Sequence, residues 1–429
     1  MRFKFLTLGV AFASFCNLGV IDAMAADLIT PVTDNAAIKT EAPAPQTAAQ
    51  QLVRVDADGL VAALSTSHIG APVVLDLLPG VSVPLVLDRT DPAPTGMSAF
   101  AAHSPGDVAS SATIVVNQGT VYAVINYKNA TYEISYLSNG IHKISKINQD
   151  KFPGDKVIER TGPSLPPPSA ESLKSTDVTV AATVGDDVVA PEAATKTIIS
   201  VTILATSKAS SHHPNWLSIA QAAITDANTT FSNSAVALTF KITSYANLTN
   251  YDETNKTFDQ MLADLSAAPG IQSWRDSTKS DLVAFFRDDT GLGNAYCGLG
   301  YLPDPPSAAT SAYAYSIVNI SCAVGNHSYV HEAGHNMGLR HDRYVEGALG
   351  TLQSKYNYGF SNVAARVRTV MAYADYCSSQ GVSCTRVAFL SNPNKKSNGG
   401  ALGVKVGATN PAFNARRLKE TKATIAAYR

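Results

Sequence analysis

Three histidines and one glutamate in a short stretch of the chain have the spacing of a catalytic metal site. The stretch reads His331-Glu332-Ala333-Gly334-His335, and a further histidine, His341, follows six residues later. Residues four apart on an α-helix lie on the same face, about 6 Å apart along the axis. The imidazoles of His331 and His335 can therefore bind one zinc ion, with bonds of about 2.1 Å. We expect Glu332 to act as a general base on a metal-activated water molecule and not as a ligand.

A third ligand requires the chain to turn back after the helix. Gly338 can adopt a positive φ and end the helix, which would return His341 to the same zinc ion. Three histidines leave one coordination position open, which is typical of a catalytic zinc site. His327 also lies four residues from His331, but about 12 Å of straight helix separates His327 from His335. We therefore interpret His327 as a cleft or packing residue.

Composition and charge give no indication of a nucleic acid or an anionic membrane as a partner. The 429 residues include 33 Lys and Arg against 34 Asp and Glu, without a basic cluster. The hydrophobic content of 45% allows a large core to form. A chain of this length indicates two domains, or one domain and a long additional segment.

The N-terminus has the pattern of a secretory signal. Arg2 and Lys4 precede a mostly apolar run from Phe5 to Ile21, and Ala23-Met24-Ala25 has the small-x-small form of a cleavage site. The alternative is a membrane anchor, but the run is at the short end for spanning hydrocarbon. We therefore predict a signal peptide over residues 1–25 and a mature protein that is secreted, extracellular or periplasmic, with no membrane attachment.

Export also determines how the cysteines are interpreted. Removal of residues 1–25 leaves four of them, Cys297, Cys322, Cys377 and Cys384. An even number in an exported chain predicts two disulfides, for which three pairings are possible. We favour Cys377–Cys384, which closes a short loop, together with Cys297–Cys322. A structural zinc site is disfavoured because no two of these cysteines have the short spacing of a C-x₂₋₄-C pair.

The segment over residues 26–195 has the pattern of a β-rich pro-domain with a Pro-rich linker. Four successive strands are predicted, at Ala112–Val116, Thr120–Tyr127, Thr131–Leu137 and Ile141–Ile147. Asn139-Gly140 is a strong hairpin signal, so these strands form a small antiparallel meander. The composition of residues 27–50 predicts disorder. Residues 160–196, which include Pro166-Pro167-Pro168, are predicted to be an exposed, cleavable linker.

Residues 196–429 alternate between strand and helix patterns, which predicts an α/β domain. Apolar residues recur at helical spacing from Trp216 to Phe231, and they alternate from Val236 to Ile242 as in a half-buried strand. Further strands are predicted at Ile198–Leu204, Leu282–Phe286 and Tyr313–Ile320, and further helices at Phe258–Leu265 and Ala412–Tyr428.

The zinc motif resembles that of the metzincin metallopeptidases, H-E-x-x-H-x-x-G-x-x-H followed by a methionine turn. Thr369-Val370-Met371-Ala372-Tyr373 supplies a candidate for that turn, and in the family the methionine lies beneath the metal as an apolar floor. Asp342, directly after the third histidine, resembles the adamalysin/reprolysin group. The likeness spans most of the segment from about residue 197 to residue 429. It implies an α/β metzincin-like catalytic domain, with a twisted mixed sheet and an active-site helix, preceded here by the β-rich pro-domain.

One position departs from the adamalysin pattern. Adamalysins usually have proline two residues after the turn methionine, where this chain has Tyr373. Astacins and serralysins place a tyrosine there, which can bind the zinc and later stabilise the oxyanion. The alternative is a buried tyrosine with an ordinary hydrogen bond. The resemblance also implies that substrate lies extended along an edge strand near Ala295–Tyr301, as in β-augmentation.

These features predict a secreted zinc endopeptidase that is made as a zymogen. Its zinc cofactor and Glu332 would hydrolyse peptide bonds of a protein or peptide substrate. Two alternatives stay open. One is a zinc hydrolase acting on a non-peptide amide, and the other is an inactive binding module on the same scaffold.

A pro-segment must block the open position of the metal. No cysteine lies between the predicted signal and the catalytic domain, so a different blocking group is needed. Phe152-Pro153-Gly154-Asp155 resembles the astacin pro-segment motif Phe-x-Gly-Asp, whose aspartate binds the zinc. Pro-Gly-Asp is also common turn chemistry. For Asp155 itself, the sequence favours an ordinary surface turn after the last strand of the meander.

Overall fold

A long helix between two β-sheets organises the chain. The computed structural model describes residues 27–32, 43–67, 72–160, 179–183, 196–290, 295–351 and 353–429. The predicted signal peptide, residues 1–25, lies outside these ranges, as does most of the predicted linker. No helix within the described ranges is long and apolar enough to cross a membrane.

The upstream sheet is an antiparallel meander with one helix against it. Within the described residues it has nine strands in the spatial order β1-β2-β9-β8-β7-β6-β5-β4-β3. The helix α1 (Ala57–Ser67) contributes Leu60 and Leu64 to a core with residues such as Ile114 and Ile134. The strands are β1 (Ile29–Pro31), β2 (Thr47–Val55), β3 (Val73–Leu78), β4 (Val81–Asp91), β5 (Met97–His103), β6 (Ser111–Asn117), β7 (Thr120–Tyr127), β8 (Ala130–Ser138) and β9 (Ile141–Ile147).

The predicted four-strand meander is present as β6 to β9, but the sheet extends beyond it on both sides. The predicted disorder over residues 27–50 is wrong for β1 and for the start of β2, which pair with each other and, through β2, with β9. Ile29 and Val53 are buried in the upstream core. The polar composition misled the prediction because backbone pairing stabilises β2, whatever its exposed side chains are.

The downstream sheet is mixed, as expected for the catalytic domain. Its described strands have the order β10-β15-β16-β14-β12-β13-β11. β12, β13, β14 and β16 are mutually parallel, and β15 is antiparallel to β16. The strands are β10 (Lys156–Arg160), β11 (Thr179–Thr183), β12 (Thr197–Thr206), β13 (Leu238–Leu248), β14 (Leu282–Arg287), β15 (Gly298–Pro303) and β16 (Tyr315–Asn319).

Both edges of the downstream sheet are covered by strands from upstream of residue 196. β10 pairs in parallel with β15, and β11 pairs antiparallel with β13. The linker predicted over residues 160–196 is therefore wrong for Thr179–Thr183, which form β11. The physical reason is that a sheet edge offers unpaired backbone groups, and a short β-branched segment can pair with them without a long hydrophobic pattern.

Helices cover both faces of the downstream sheet, and small β-structures follow the last long strand. The predicted helices are confirmed at α3, α4 and α8. The helices are α2 (Ser207–His212), α3 (Trp216–Asn233), α4 (Phe258–Ala267), α5 (Pro269–Ser277), α6 (Ser328–Asn336), α7 (Asp375–Ser379) and α8 (Asn414–Ile425). The short strands are β17 (Arg340–Asp342), β18 (Tyr358–Gly359), β19 (Ser361–Asn362), β20 (Val367–Arg368), β21 (Thr385–Arg386), β22 (Asn392–Ser397) and β23 (Gly400–Leu402).

The central helix α3 is buried on both of its faces. Its apolar residues, such as Ile224 and Phe231, share one core with the downstream sheet, α6 and α8. Its polar face lies under the upstream sheet. There the Nη2 of Arg89 on β4 donates to the carbonyl of Thr225 and to the hydroxyl of Thr229, at 2.9 Å each. The two sheets are thus joined through hydrogen bonds as well as through apolar contact.

A buried histidine makes the stability of the upstream sheet depend on pH. The Nε2 of His142 accepts the backbone N–H of Val121 at 3.0 Å, and burial lowers the pKa of His142 to about 4. The neutral ring stabilises the fold above the ordinary pKa of about 6.5, and this contribution is lost as the pH falls from there towards 4. We expect the melting temperature to fall less steeply between pH 7 and 4.5 in His142→Gln, whose amide can still accept the hydrogen bond.

The comparison is made by thermal unfolding in a Glu332→Gln background, which removes the expected peptidase activity. Parallel pH profiles for the two proteins would show that His142 does not contribute.

Candidate active site

The histidines of the motif converge at the end of α6. The Nε2 atom of His335 lies 3.0 Å from the Nε2 atoms of both His331 and His341, which are 3.2 Å from each other. Three nitrogens bound tetrahedrally to one zinc at about 2.1 Å would lie about 3.4 Å apart. All three side chains are buried. The triangle therefore has nearly the size of a three-histidine ligand set.

The tautomers of two of these rings follow from their other nitrogen atoms. The Nδ1 of His331 lies 2.9 Å from the carbonyl of Val370, and the Nδ1 of His335 lies 2.7 Å from that of Leu339. A carbonyl only accepts, so each Nδ1 carries the proton and each Nε2 presents a lone pair. Burial lowers the pKa of His335 to about 3 and that of His331 and His341 well below the ordinary value. Neutral imidazoles facing one another in this way fit a transition-metal cation.

Glu332 is buried beside the triad, and its carboxylate is unsatisfied. Neither Oε has a hydrogen-bond partner among the described residues. Burial, and then the nearby Asp155, raise the pKa of Glu332 well above its ordinary value. Room for the carboxylate comes from β15, where a Cβ on Gly298 would lie 2.7 Å from the Cδ of Glu332. A buried acceptor without a partner indicates a place for a ligand or a water molecule.

The chain turns back after α6 as the sequence predicts. The helix ends at Asn336, and Gly338 has a φ of +87°. A Cβ on Gly338 would lie 2.6 Å from the Cδ of Pro306, so glycine is required by space as well as by conformation. The turn leads into β17, which contains His341.

The candidate methionine turn lies directly beneath the helix. Met371 is fully buried, and a Cβ on Gly334 would lie 2.8 Å from its Sδ. The preceding Val370 supplies the carbonyl that orients His331. The backbone N–H of Tyr373 donates to the Oδ2 of Asp342 at 2.9 Å, which joins the end of the turn to the residue after the third histidine.

Tyr373 lies at the triad, but its hydroxyl is engaged by the upstream segment. Its ring centroid is 4.5 Å from that of His341, and its hydroxyl donates to the backbone carbonyl of Asp155. Burial raises the pKa of Tyr373, and the carboxylates of Asp155 and Glu332 raise it further. The tyrosine therefore stays protonated and acts as a hydrogen-bond donor.

Asp155 lies within the site, so its interpretation as a surface turn is wrong. It is only 6% exposed, and its Oδ2 lies 3.9 Å from the Nε2 of His331. The Oδ1 accepts from the hydroxyl of Ser328 at 3.0 Å, and the Oδ2 accepts from both Nη atoms of Arg386 at 3.1 Å. The local Pro-Gly-Asp pattern could not reveal this, because the partners are 173 and 231 residues away.

The segment that carries Asp155 lies along the expected substrate edge. The backbone N–H of Cys297 donates to the carbonyl of Gly154 at 2.9 Å. From there β10 follows β15 in parallel, with Lys156 opposite Leu299 and Ile158 opposite Tyr301. The edge near Ala295–Tyr301 is therefore covered by the chain itself.

Three further residues hold the site together and were not singled out from the sequence. The side-chain amide of Asn336 donates to the carbonyls of Tyr301, Tyr313 and Tyr315, which joins α6 to the sheet. Ser328 and Arg386 hold the carboxylate of Asp155. A polar residue on the buried face of a helix is the signal that could have indicated Asn336, whereas Ser328 and Arg386 have no local signal.

His327 lies outside the triad. It is buried at the start of α6 with a φ of +56°, and its Nδ1 lies 2.8 Å from the carboxylate of Asp226 on α3. This contact joins two helices, which agrees with the interpretation of His327 as a packing residue.

Both expected disulfides are present. Cys297–Cys322 joins the start of β15 to the segment before α6, and Cys377–Cys384 closes the loop that follows the methionine turn. Together they link the substrate edge, the helix and the segment leading to Arg386.

A second group, formed by His213, Asp288 and Asp289, also has the composition of a metal site. Its buried member, Asp288, already lies 3.1 Å from the Nδ1 of His212 and 3.5 Å from the Nζ of Lys208. The contacts with Lys208 and His212 therefore account for the buried carboxylate of this cluster.

Comparisons with known proteins agree with this geometry. The family model described as Metallo-peptidase family M12B Reprolysin-like matches residues 218–342. A Peptidyl-Asp metalloendopeptidase of Stenotrophomonas maltophilia (strain R551-3) is 28% identical over 439 residues, covering 95% of both chains. A protein of the same name from Pseudomonas fragi is 35% identical over 124 residues, which cover 29% of this chain and 72% of that protein.

Among solved structures, metalloproteinase-II from Bacteroides fragilis is similar with a TM-score of 0.43 and 10% identity, over 67% of this chain and 86% of that chain. The sequence relatives identify the class of protein, and the chain belongs to the metzincin-type zinc metallopeptidases. It is a metalloendopeptidase, and its substrates are proteins or peptides. A metal cofactor follows from the family, and the three neutral imidazoles with the unsatisfied Glu332 fit zinc.

The space that Gly298 leaves for Glu332 can be tested by filling it. We expect Gly298→Ala to lower the free energy of unfolding by about 1–3 kcal/mol, because the new methyl group would overlap the Glu332 side chain. Chemical unfolding of the full chain measures the change. Gly325→Ala is the matched control, since its Cβ would find nothing closer than 3.9 Å. Equal stability of the two variants would contradict the tight packing of Glu332.

Proposed function

We propose that this chain is a secreted zinc endopeptidase, made as a latent precursor, in which His331, His335 and His341 bind the zinc and Glu332 is the general base. The observation that carries the proposal is the buried carboxylate of Glu332, which lacks a hydrogen-bond partner among the described residues and lies beside three converging Nε2 atoms. An inactive binding module would have no need of this costly unsatisfied group.

In the proposed reaction, a water oxygen forms a bond to the scissile carbonyl carbon and the carbon–nitrogen bond then breaks. Bound zinc supplies Lewis-acid chemistry, polarising a carbonyl and lowering the pKa of water to about 7. Glu332 accepts a proton from the attacking water at one Oε and donates it to the leaving nitrogen. Met371 supports the helix from below, and Val370 keeps His331 in the tautomer that leaves its Nε2 free.

Tyr373 has a second proposed role once Asp155 has left. Its hydroxyl then no longer donates to the carbonyl of Asp155 and is available to the oxygen that gains negative charge in the tetrahedral intermediate. Its position beside His341 and its raised pKa, which keeps the proton on the hydroxyl, support this role.

We propose latency from the way the upstream segment occupies the site. Residues 1–25 are the signal peptide, residues 26–195 the pro-segment and residues 196–429 the catalytic domain. β10 covers the substrate edge, and Asp155 places a carboxylate, a competent zinc ligand, beside His331. Secretion is supported by the N-terminal signal pattern and by the two disulfides.

For the substrate, we propose cleavage at peptide bonds next to aspartate. The relatives from Stenotrophomonas and Pseudomonas are named Peptidyl-Asp metalloendopeptidase, and one of them is similar over nearly the whole chain. The alternative of a zinc hydrolase for non-peptide amides has no comparable support.

The role of Glu332 is tested by Glu332→Gln. We expect the variant to retain about one zinc per chain and to lose activity by roughly a hundredfold or more, because the amide cannot accept the proton. Zinc is measured by atomic absorption, and activity is measured on a protein substrate before and after chelation.

The comparison variant is His341→Ala, which is expected to lose zinc as well as activity. Loss of zinc from Glu332→Gln, or a residual turnover above about one per cent, would contradict the assignment of Glu332 as the base.

Latency is tested with the intact precursor carrying Asp155→Ala. We expect this precursor to cleave substrate before any processing, because the blocking carboxylate and its ion pair with Arg386 are gone. Asp76→Ala, at an exposed position on β3, is the control and should remain silent. A silent Asp155→Ala precursor would assign the block to another residue, and an active unmutated precursor would refute latency itself.

A further inference from the structure

Arg386 is a buried cation beside the triad that the proposed reaction does not use. Its side chain is 1% exposed, and its Nη2 lies 3.2 Å from the Nδ1 of His331, whose proton already points to Val370. The Nη1 donates to the carbonyl of Asn326 at 2.8 Å, and both Nη atoms donate to the Oδ2 of Asp155. The Nε has no partner among the described residues.

Only one of these partners carries a charge that balances the guanidinium, and it belongs to the proposed pro-segment. When residues 26–195 are removed, Arg386 keeps the neutral carbonyl of Asn326 and loses Asp155. The neighbouring strand offers no replacement, because Arg368 lies opposite Arg386 and is itself a cation. Glu332 lies close enough to interact electrostatically with Arg386, but it accepts no hydrogen bond from it. A guanidinium without a hydrogen-bonded carboxylate favours any ligand that brings one to the same place.

The position of the carboxylate is defined by the backbone on either side of it. The carbonyl of Gly154 accepts from the N–H of Cys297, and the carbonyl of Asp155 accepts from the hydroxyl of Tyr373. The carboxylate also lies at the N-terminus of α6, where the hydroxyl of Ser328, the first residue of that helix, donates to it. Helix dipole, hydroxyl and guanidinium therefore all favour an anion here.

We infer that Arg386 is the specificity-determining residue of this peptidase, and that it binds the side-chain carboxylate of an aspartate next to the scissile bond. In the precursor, Asp155 occupies the same place as a mimic of that aspartate. The inference rests on the proposed function, since it assigns a substrate contact to the proposed active site.

Asp155 of the precursor and the aspartate of a substrate contact the site differently. In the precursor the carboxylate of Asp155 contacts Arg386 and also lies 3.9 Å from the Nε2 of His331. A substrate places its scissile carbonyl at the triad and only its aspartate side chain on Arg386, so the bond that is cut adjoins the aspartate.

The same geometry selects aspartate over its closest analogues. Asparagine has the same size but no charge, and its NH₂ group would face the guanidinium donors. Glutamate keeps the charge but is one methylene longer. The backbone position on β15 and the position of Arg386 fix the length of the side chain that fits between them. A site built around a charged hydrogen bond strongly rejects a ligand that cannot form that bond. A ligand with one extra methylene is rejected less strongly.

The test uses the processed enzyme and three peptides that differ only in an Asp, Asn or Glu at one position. We expect kcat/KM for the Asp peptide to exceed that for the Asn peptide on the order of a hundredfold, with Glu between them. In Arg386→Gln this ratio is expected to fall below about tenfold, because the charged hydrogen bonds to the Asp peptide are lost. Mass spectrometry of the products identifies the bond that is cut.

Arg416→Gln, at an exposed position on α8, is the matched control and should keep the wild-type ratio. Because Arg386→Gln removes a buried charge and can impair folding, a second measurement uses the wild-type enzyme only. A peptide of residues 150–160 is expected to inhibit at least about tenfold more strongly than the same peptide with Asp155→Asn, since the charged hydrogen bonds are lost.

The outcomes separate the two proposals. If the wild-type enzyme cuts none of the peptides and no protein substrate, the proposed function fails. If it cuts the Asp and Asn peptides equally well, the peptidase assignment stands and the inference about Arg386 fails. The inference also fails if Arg386→Gln keeps the Asp preference, or if the two inhibitor peptides bind equally.

Discussion

Three imidazole Nε2 atoms lie within 3.2 Å of one another in the interior of the chain, and those of His331 and His335 present lone pairs to this point. Such a contact is repulsive unless a cation lies between them, so the surrounding structure must hold the rings in place. Asn336 holds α6 to three carbonyls of the sheet, and Gly338 lets the chain turn back. Met371 closes the site from below. Each of these groups is buried and has little freedom to move.

The upstream segment uses the same framework. Gln149 pairs its side-chain amide with both backbone groups of Arg386, as a neighbouring strand would do, while Asp155 pairs with the guanidinium. The residue that we propose as the substrate contact is therefore held at its backbone and at its side chain by the upstream segment. The carboxylate of Asp155 and the strand β10 are only a few residues apart. Binding of Asp155 in the site is therefore linked to docking of the whole upstream segment.

Whether a feature of the fold or the site was predictable depended on how far apart its interacting residues lie along the chain. Some features depend only on the local spacing of residues, and the structure has them where the sequence indicated. They are the zinc motif, α3, β12 and the short Cys377–Cys384 loop. The strands β1, β2 and β11 were missed because their stability comes from partners elsewhere in the chain. The pairing of Asp155 with Arg386 spans 231 residues, and neither neighbourhood contains a pattern that points to the other.

The helix α3 shows why a correct local prediction can still miss the function of a surface. The periodicity from Trp216 to Phe231 predicted an amphipathic helix, and the structure buries the polar face as well as the apolar one. The face beneath the upstream sheet carries polar residues, among them Gln221 and Asn228, which bond to Pro92 and Asp91 of the upstream sheet. Water can replace these hydrogen bonds at small cost. The same interface also has an apolar part, because Ala99, Val115, Tyr122 and Val124 of the upstream sheet share one core with α3. Hydrogen bonds and apolar contacts therefore hold the upstream sheet on α3 together, and the periodicity of the helix alone indicates neither of them.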